Sequence, residues 1–237
     1  MNRILQLATA SLLMIPPAGI CGQGQWHREK PQVEDLSWMW QYTQPAPGYR
    51  ENQMLWDPHF KPFLEKHLTA PQTFWGKNKR LSDVAMEFLG VPGEVTGDDN
   101  RYVSADGCVP HFCPDRGLLF VDTAGSRPLV AFAAIDWISQ GKNIEEPDAA
   151  YTMWLFSNHP IDPAHISPPL IRSITRWTAR PYGHTNLFQN ITRVYLVDPD
   201  GTPHPLTPNA VGARNTLPPE TTTEPNQSLS TTQKAQP

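Results

Sequence analysis

Apolar positions along the chain follow two rhythms. Between Met54 and Leu68, the residues Leu55, Trp56, Phe60, Phe63, Leu64 and Leu68 recur at threes and fours, the spacing of one helix face. Asp57-Pro58 suits an N-cap and first turn for that helix. Pro62 lacks an N–H and its ring crowds the preceding turn, so the helix is expected to start late or to kink. A second helix is predicted over Leu81–Leu89, with Ser82 as N-cap, Val84, Ala85, Phe88 and Leu89 on its apolar side, and Gly90 as the stop. From Arg101 onward the pattern changes to short runs rich in β-branched and aromatic residues: 101–105, 118–122, 128–135, 151–157 and 191–198. Val91-Pro92-Gly93, Gly97-Asp98-Asp99-Asn100, Ala124-Gly125-Ser126-Arg127 and Glu146-Pro147-Asp148 read as turns, with a short extended piece at Glu94–Thr96. Leu170–Thr178 fits either one more strand or a short helix. Helices first, then closely spaced strands without helical alternation, predict an α+β class: a central, mainly antiparallel β-sheet with helices packed against it.

The two ends lie outside this pattern. Arg3 followed by an apolar run from Ile4 to Ile15, then Pro16-Pro17-Ala18-Gly19, reads as a secretory signal peptide over residues 1–22. That run is too short to span a bilayer. Acylation at Cys21 would give a membrane-held lipoprotein instead, although Ile20 is bulky where a small residue is wanted. Residues 23–50 carry Gln, Pro, Glu and Trp without a sustained period and read as a linker, in which Ser37-Trp38-Met39-Trp40 can dock on the domain or on a partner. The domain is expected over 51–198, closed by the turn Asp198-Pro199-Asp200-Gly201. Beyond it, 199–237 is rich in Pro, Thr, Asn and Gln and reads as a disordered tail. A net charge of −4, with no basic stripe, argues against a nucleic-acid partner.

The segment with distinctive chemistry is Cys108-Val109-Pro110-His111-Phe112-Cys113. Removing Cys21 with a signal leaves Cys108 and Cys113 as the one pair, expected to be bonded in an oxidising compartment. The ring so closed is short, worth about 2 kcal/mol in chain entropy, so it shapes a loop more than it holds a domain. Pro110 and Pro114 restrict φ on both sides of His111.

This hexapeptide resembles the Cys-Lys-Pro-His-Asp-Cys loop of the inhibitor of vertebrate lysozyme family, bacterial periplasmic proteins that block c-type lysozymes. Cys108, Pro110, His111 and Cys113 match, whereas Val109 and Phe112 stand where the family has a basic and an acidic residue. The likeness covers residues 50–157, with no counterpart beyond. It implies an antiparallel sheet with packed helices, a periplasmic or secreted inhibitor of a lysozyme or related muramidase, and a possible homodimer. It also implies that His111 engages the catalytic carboxyls of the enzyme. Phe112 would then be an interface anchor, or would fold back onto its own domain. The alternative is an envelope protein of the same fold that binds a protein or peptidoglycan without inhibiting.

Other chemistries find little support. Cys108, His111 and Cys113 are too few for a closed zinc site, and the cysteine spacing is not that of a redox pair. Asp98-Asp99 and Glu145-Glu146 sit in turns and read as solvated charges. No phosphate-binding glycine loop is present. The expectation is therefore a protein that is not an enzyme and uses no cofactor or metal.

Overall fold

The computed structural model describes residues 33–43, 53–138, 143–144, 146, 149–181 and 188–213. Its architecture follows from two strands that are apolar on both pleat faces. In β3 (Phe112–Asp122), Leu118 to Val121 are all buried, and in β4 (Leu129–Trp137) so are Val130 to Ile135. Such runs need cover on both sides of the sheet. Leu119, Val121, Phe132 and Ala134 face one core, under α1 (Phe60–His67) and α2 (Leu81–Phe88). Leu118, Phe120, Ala133 and Ile135 face a second core with Leu170, Ile174 and Trp177 of α3 (Pro168–Thr178).

The sheet has seven strands in chain order, adding β1 (Val91–Asp98), β2 (Tyr102–Val109), β5 (Ala150–Ser157), β6 (Asn190–Val197) and β7 (Pro203–Leu206). Every neighbouring pair is antiparallel except β5 and β6, which are parallel. The fold is α+β, with a mixed sheet that is mainly antiparallel. A parallel pair cannot be joined by a hairpin, and α3 makes the crossover. This settles Leu170–Thr178 as helix, with Pro168 and Pro169 tolerated at its start.

The two amino-terminal helices agree with the hydrophobic pattern in kind and differ at their ends, whereas Val91-Pro92-Gly93 and Gly97-Asp98, read as turns, lie within β1. α1 starts at Phe60, so Pro62 falls in the first turn, where its missing N–H breaks no bond. Ser82 is not the cap of α2: the Arg80 carbonyl accepts the N–H of Asp83 (3.0 Å) and Val84 (3.1 Å), and Ser82 is buried inside the first turn. Gly90 stands just past the C-cap Leu89, the stop position expected of it, but without a left-handed backbone. A Cβ there would lie 2.9 Å from Pro110 Cγ, so a close approach demands glycine.

Both boundaries of the domain lie further out than composition suggests. The stretch read as linker contributes a 3-10 turn, Ser37–Tyr42, with Leu36 and Met39 in the first core. Glu34 anchors it, accepting from Lys66 Nζ and meeting His67 Nε2, both at 2.8 Å. The tautomer of His67 is set by Asn158. The Asn158 Oδ1 accepts the Val130 N–H (2.8 Å), so its amide donates to Pro128 O (3.0 Å) and to His67 Nδ1 (3.1 Å). The remaining ring nitrogen, Nε2, therefore carries the hydrogen given to Glu34. Burial above all holds the His67 pKa below its ordinary value, consistent with a neutral ring.

At the other end, the first part of the expected tail is ordered. β7 pairs Val197 with Pro203 and Tyr195 with Pro205, an edge position where prolines lose no ladder bond to a further strand. The 3-10 turn Pro208–Val211 then buries Val211, and Ala213 beyond it is buried too. Pairing with β6 supplies what the apolar-poor composition could not. Residues 214–237, like 1–32 with Cys21, lie outside the described residues.

α3 also clamps the β1–β2 edge. Arg172 and Arg176, with Arg180 just past the helix end, are spaced by four and form one stripe. They reach Asp99 (3.0 Å), Asp98 (2.8 Å) and, for Arg180, Glu94 (2.5 Å) and Asp106. Asp98 and Asp99, read as solvated turn acids, are partners in this ladder.

Glycine is required where β2 passes the α2–β1 junction. A Cβ at Gly107 would lie 2.7 Å from the carbonyl oxygens of Leu89 and Val91. Gly107→Ala is therefore expected to lower stability by about 1–3 kcal/mol, read from the midpoint of urea unfolding.

Candidate functional site: the disulfide-closed hairpin

β2 and β3 pair without interruption from Tyr102↔Asp122 to Cys108↔Arg116, after which the register shifts and Val109 faces Phe112. Residues 113–115 are thus extra on β3 and form a bulge, where Pro114 has no ladder N–H to lose. The connection is a two-residue turn, Pro110-His111. Proline fixes φ near its usual negative value at the first position, and His111 has φ 65°, the pattern of a type II turn. A left-handed backbone is unusual for a side chain other than Gly, Asn, Asp or His, and it costs on the order of 1 kcal/mol.

The Cys108–Cys113 disulfide joins the strands just below this turn, its Cα atoms 4.8 Å apart. The bulge is held from both sides. On one, Gln189 donates through Nε2 to the Pro114 carbonyl, while its Oε1 accepts from Arg116 Nε (2.5 Å). Arg116 also donates to the Arg180 carbonyl (3.2 Å) and lies over the Trp177 ring at 5.2 Å. On the other, the Asp115 carboxylate accepts the backbone N–H of Trp137 (2.9 Å).

These contacts decide which side chains the loop presents. Val109 is buried, and the half-buried Phe112 folds back with its ring 6.2 Å from that of Trp137. Phe112 is thus packed on its own domain and does not stand out as an anchor. Pro110 leans on Gly90, and His111 is exposed at the apex. Cys108 is buried and Cys113 half-buried. The six residues of the hexapeptide are therefore brought together as one hairpin that offers a single titratable side chain.

Three carboxyls near the hairpin were not singled out from the sequence. Asp115 and Asp136 lie on adjacent strands, one position beyond the Arg116↔Ile135 pair. Burial pushes Asp115 up to about 7, against the pull of the Trp137 N–H and with the help of the Asp136 charge. Burial likewise pushes Asp136 up to about 6. On the opposite face, burial raises Asp106 despite its pairing with Arg180. The signal for these groups was a charge inside an otherwise apolar strand run, as at Asp136 after Ala131–Ile135, which marks a buried polar group.

Among the described residues, no group of three or more His, Cys, Asp or Glu side chains is placed to hold a metal ion. Among them, too, no helix is long and apolar enough to cross a membrane. Comparison of the chain with protein-family models, curated proteins and solved structures finds no match.

Two outcomes follow from the hairpin root. A carboxyl whose pKa is higher in the folded than in the unfolded chain holds its proton more tightly when folded. Its contribution to stability is therefore present at low pH and is lost as pH rises from about 4 to about 7. Asp115→Asn keeps an oxygen for the Trp137 N–H and should make the protein more stable at pH 8 while flattening that decline, as measured by denaturant unfolding at a series of pH values. Replacing Cys108 and Cys113 together with alanine should lower stability by about 2 kcal/mol without unfolding the domain, as seen by a shift of the unfolding midpoint at unchanged far-ultraviolet dichroism.

Proposed function

We propose that this chain is an exported inhibitor of a lysozyme or related muramidase, acting by inserting the Cys108–Cys113 hairpin into the catalytic cleft. The observation that carries the reading is the exposed His111 ring at the apex of a hairpin fixed by a disulfide, a proline and a pinned bulge. The match of Cys108, Pro110, His111 and Cys113 to the lysozyme-inhibitor loop supports it independently.

The chemistry of the target makes an imidazole apt. A lysozyme cleaves between two carboxyl groups, one protonated as general acid and one ionised. That pair offers one donor and one acceptor. A neutral imidazole offers the complementary set, an acceptor nitrogen and an N–H. Hydrogen bonds to charged groups contribute roughly 1.5–3 kcal/mol each. Because the loop is already ordered, insertion freezes little beyond the His111 side chain itself. Val109 and Phe112 help to brace the loop, replacing the charged neighbours of the family pattern with apolar packing. On this reading the protein performs no reaction and needs no cofactor, and the amino-terminal segment directs it out of the cytoplasm.

Muramidase assays with c-type, g-type and bacterial enzymes test the proposal. The wild-type protein should inhibit at least one class stoichiometrically. His111→Gly, which suits the left-handed turn yet lacks the ring, should weaken that inhibition about 10- to 100-fold, the equivalent of one or two lost hydrogen bonds. Equal inhibition by this variant would remove the plug mechanism, and inactivity of the wild type toward all three classes would remove the inhibitor reading.

A further inference from the structure

The hairpin is held differently on the two sides of Arg116. From Arg116 to Asp122, β3 pairs with both β2 and β4. Residues 113–115 have no partner in either ladder. What fastens this stretch and the turn to β4 and β6 is the Gln189 bond to the Pro114 carbonyl, the Trp137 N–H bond to Asp115 (2.9 Å) and the Phe112 ring against Trp137. Two of these contacts run through Trp137.

Asp115 sits at this joint. Its position is opposite Asp136 of β4, one step beyond the Arg116↔Ile135 pair. Opposed residues of adjacent strands share a face of the sheet, and like charges there repel. The bulge does not part them, because Asp115 accepts the N–H of the residue after Asp136, and its carboxyl feels the Asp136 charge. Asp115 is 2% exposed, and Asp136 is half-buried.

Among the described residues, the charges around the pair are engaged elsewhere or exposed. Thr152 of β5, opposite Asp136, is buried and uncharged, and Arg193, opposite Thr152 on β6, is exposed. Arg116 lies over Trp177 on the other face, where Arg180 pairs with Asp106. On α2, whose Phe88 lies over Gly117, Asp83 is paired with Arg80 and Glu87 with Lys79.

We propose that Asp115 and Asp136 form a pH-sensitive switch that sets how firmly the His111 hairpin is held. While the pair keeps a proton, one carboxyl can donate to its neighbour and the repulsion is absent. With both ionised, like charges stand opposed in a poorly hydrated place. The relief that breaks fewest contacts is for the bulge to turn Asp115 into water. That movement gives up the Trp137 N–H bond and the Phe112–Trp137 contact but leaves the ladder from Arg116 to Asp122 in place.

The direction follows from burial, which raises both carboxyls, Asp136 to about 6 and Asp115 to about 7. The closed hairpin binds its protons more tightly than the open one, so closure is favoured at low pH and weakens as pH rises through that range. The hairpin is firm in weakly acidic surroundings and slack above neutrality. The inference concerns the order of the loop and stands whatever partner the loop meets.

Amide hydrogen exchange of the full chain, read by nuclear magnetic resonance and corrected for the intrinsic effect of pH on exchange, tests it. Protection of the Trp137 amide should fall about tenfold or more as pH is raised from about 5.5 to about 8. Dilute urea should leave Trp137 exchange unaffected, as for a local opening, while the Leu119 and Phe132 amides inside the sheet lose protection with urea. Asp115→Asn, which keeps an oxygen for the Trp137 N–H, should remove the fall with pH, and Asp136→Asn should reduce it. Protection of Trp137 that does not vary with pH, an unchanged fall in Asp115→Asn, or a Trp137 amide that follows Leu119 and Phe132 in urea would overturn the assignment. No enzyme takes part in the measurement, so this proposal and the muramidase reading fail separately.

Discussion

The constraint on which the structure turns is the burial of β3 and β4 on both pleat faces. Two adjacent strands without a solvent side require helices above and below the sheet. The first face is covered by residues that precede the sheet in the chain, the second only by α3, which follows β5. That requirement is why the chain leaves the antiparallel order at β5 and returns through a crossover to place β6 parallel. It also explains why β6 and β7, which follow the crossover, belong to the same sheet.

The hairpin gains its rigidity from the same arrangement. β3 is held between β2 and β4 from Arg116 to Asp122, so the turn at Pro110-His111 projects beyond an interior strand and not from a sheet edge. Its bulge is fixed by Gln189, from the start of β6, and by the Trp137 N–H, from the end of β4. Elements far apart in the chain therefore set the direction in which one imidazole points. Ordering the loop in advance, and not adding contacts to it, is what a plug needs, since entropy lost during folding is not lost again on binding. The raised Asp115 and Asp136 carboxyls are a local penalty of this packing at neutral pH, tolerated beneath the loop.

At the hairpin, backbone geometry and a covalent bond position the histidine, as the proposed insertion requires. Around Asp57, a carboxylate gathers Gln41, Tyr42 and His59 through hydrogen bonds and ties the 3-10 turn Ser37–Tyr42 to the start of α1.

Local pattern was enough to determine much of this protein. The threefold and fourfold spacing before residue 90, the β-rich runs after 101 and the Cys-Pro-His-Cys spacing located both amino-terminal helices, most strands and the loop, because each reflects forces within a few residues. What local pattern could not reach depends on partners distant in the chain. Met39 and Val211 are core residues only because the sheet and helices give them a surface to cover. Pro203-His204-Pro205-Leu206 is a strand only because β6 offers its edge. Phe112 could point either way until Trp137 was beside it, and Asp98 and Asp99 read as unpaired turn acids until α3 brought Arg176 and Arg172 to them. Composition and periodicity record what a residue prefers, whereas burial and pairing are decided by what the folded chain places against it.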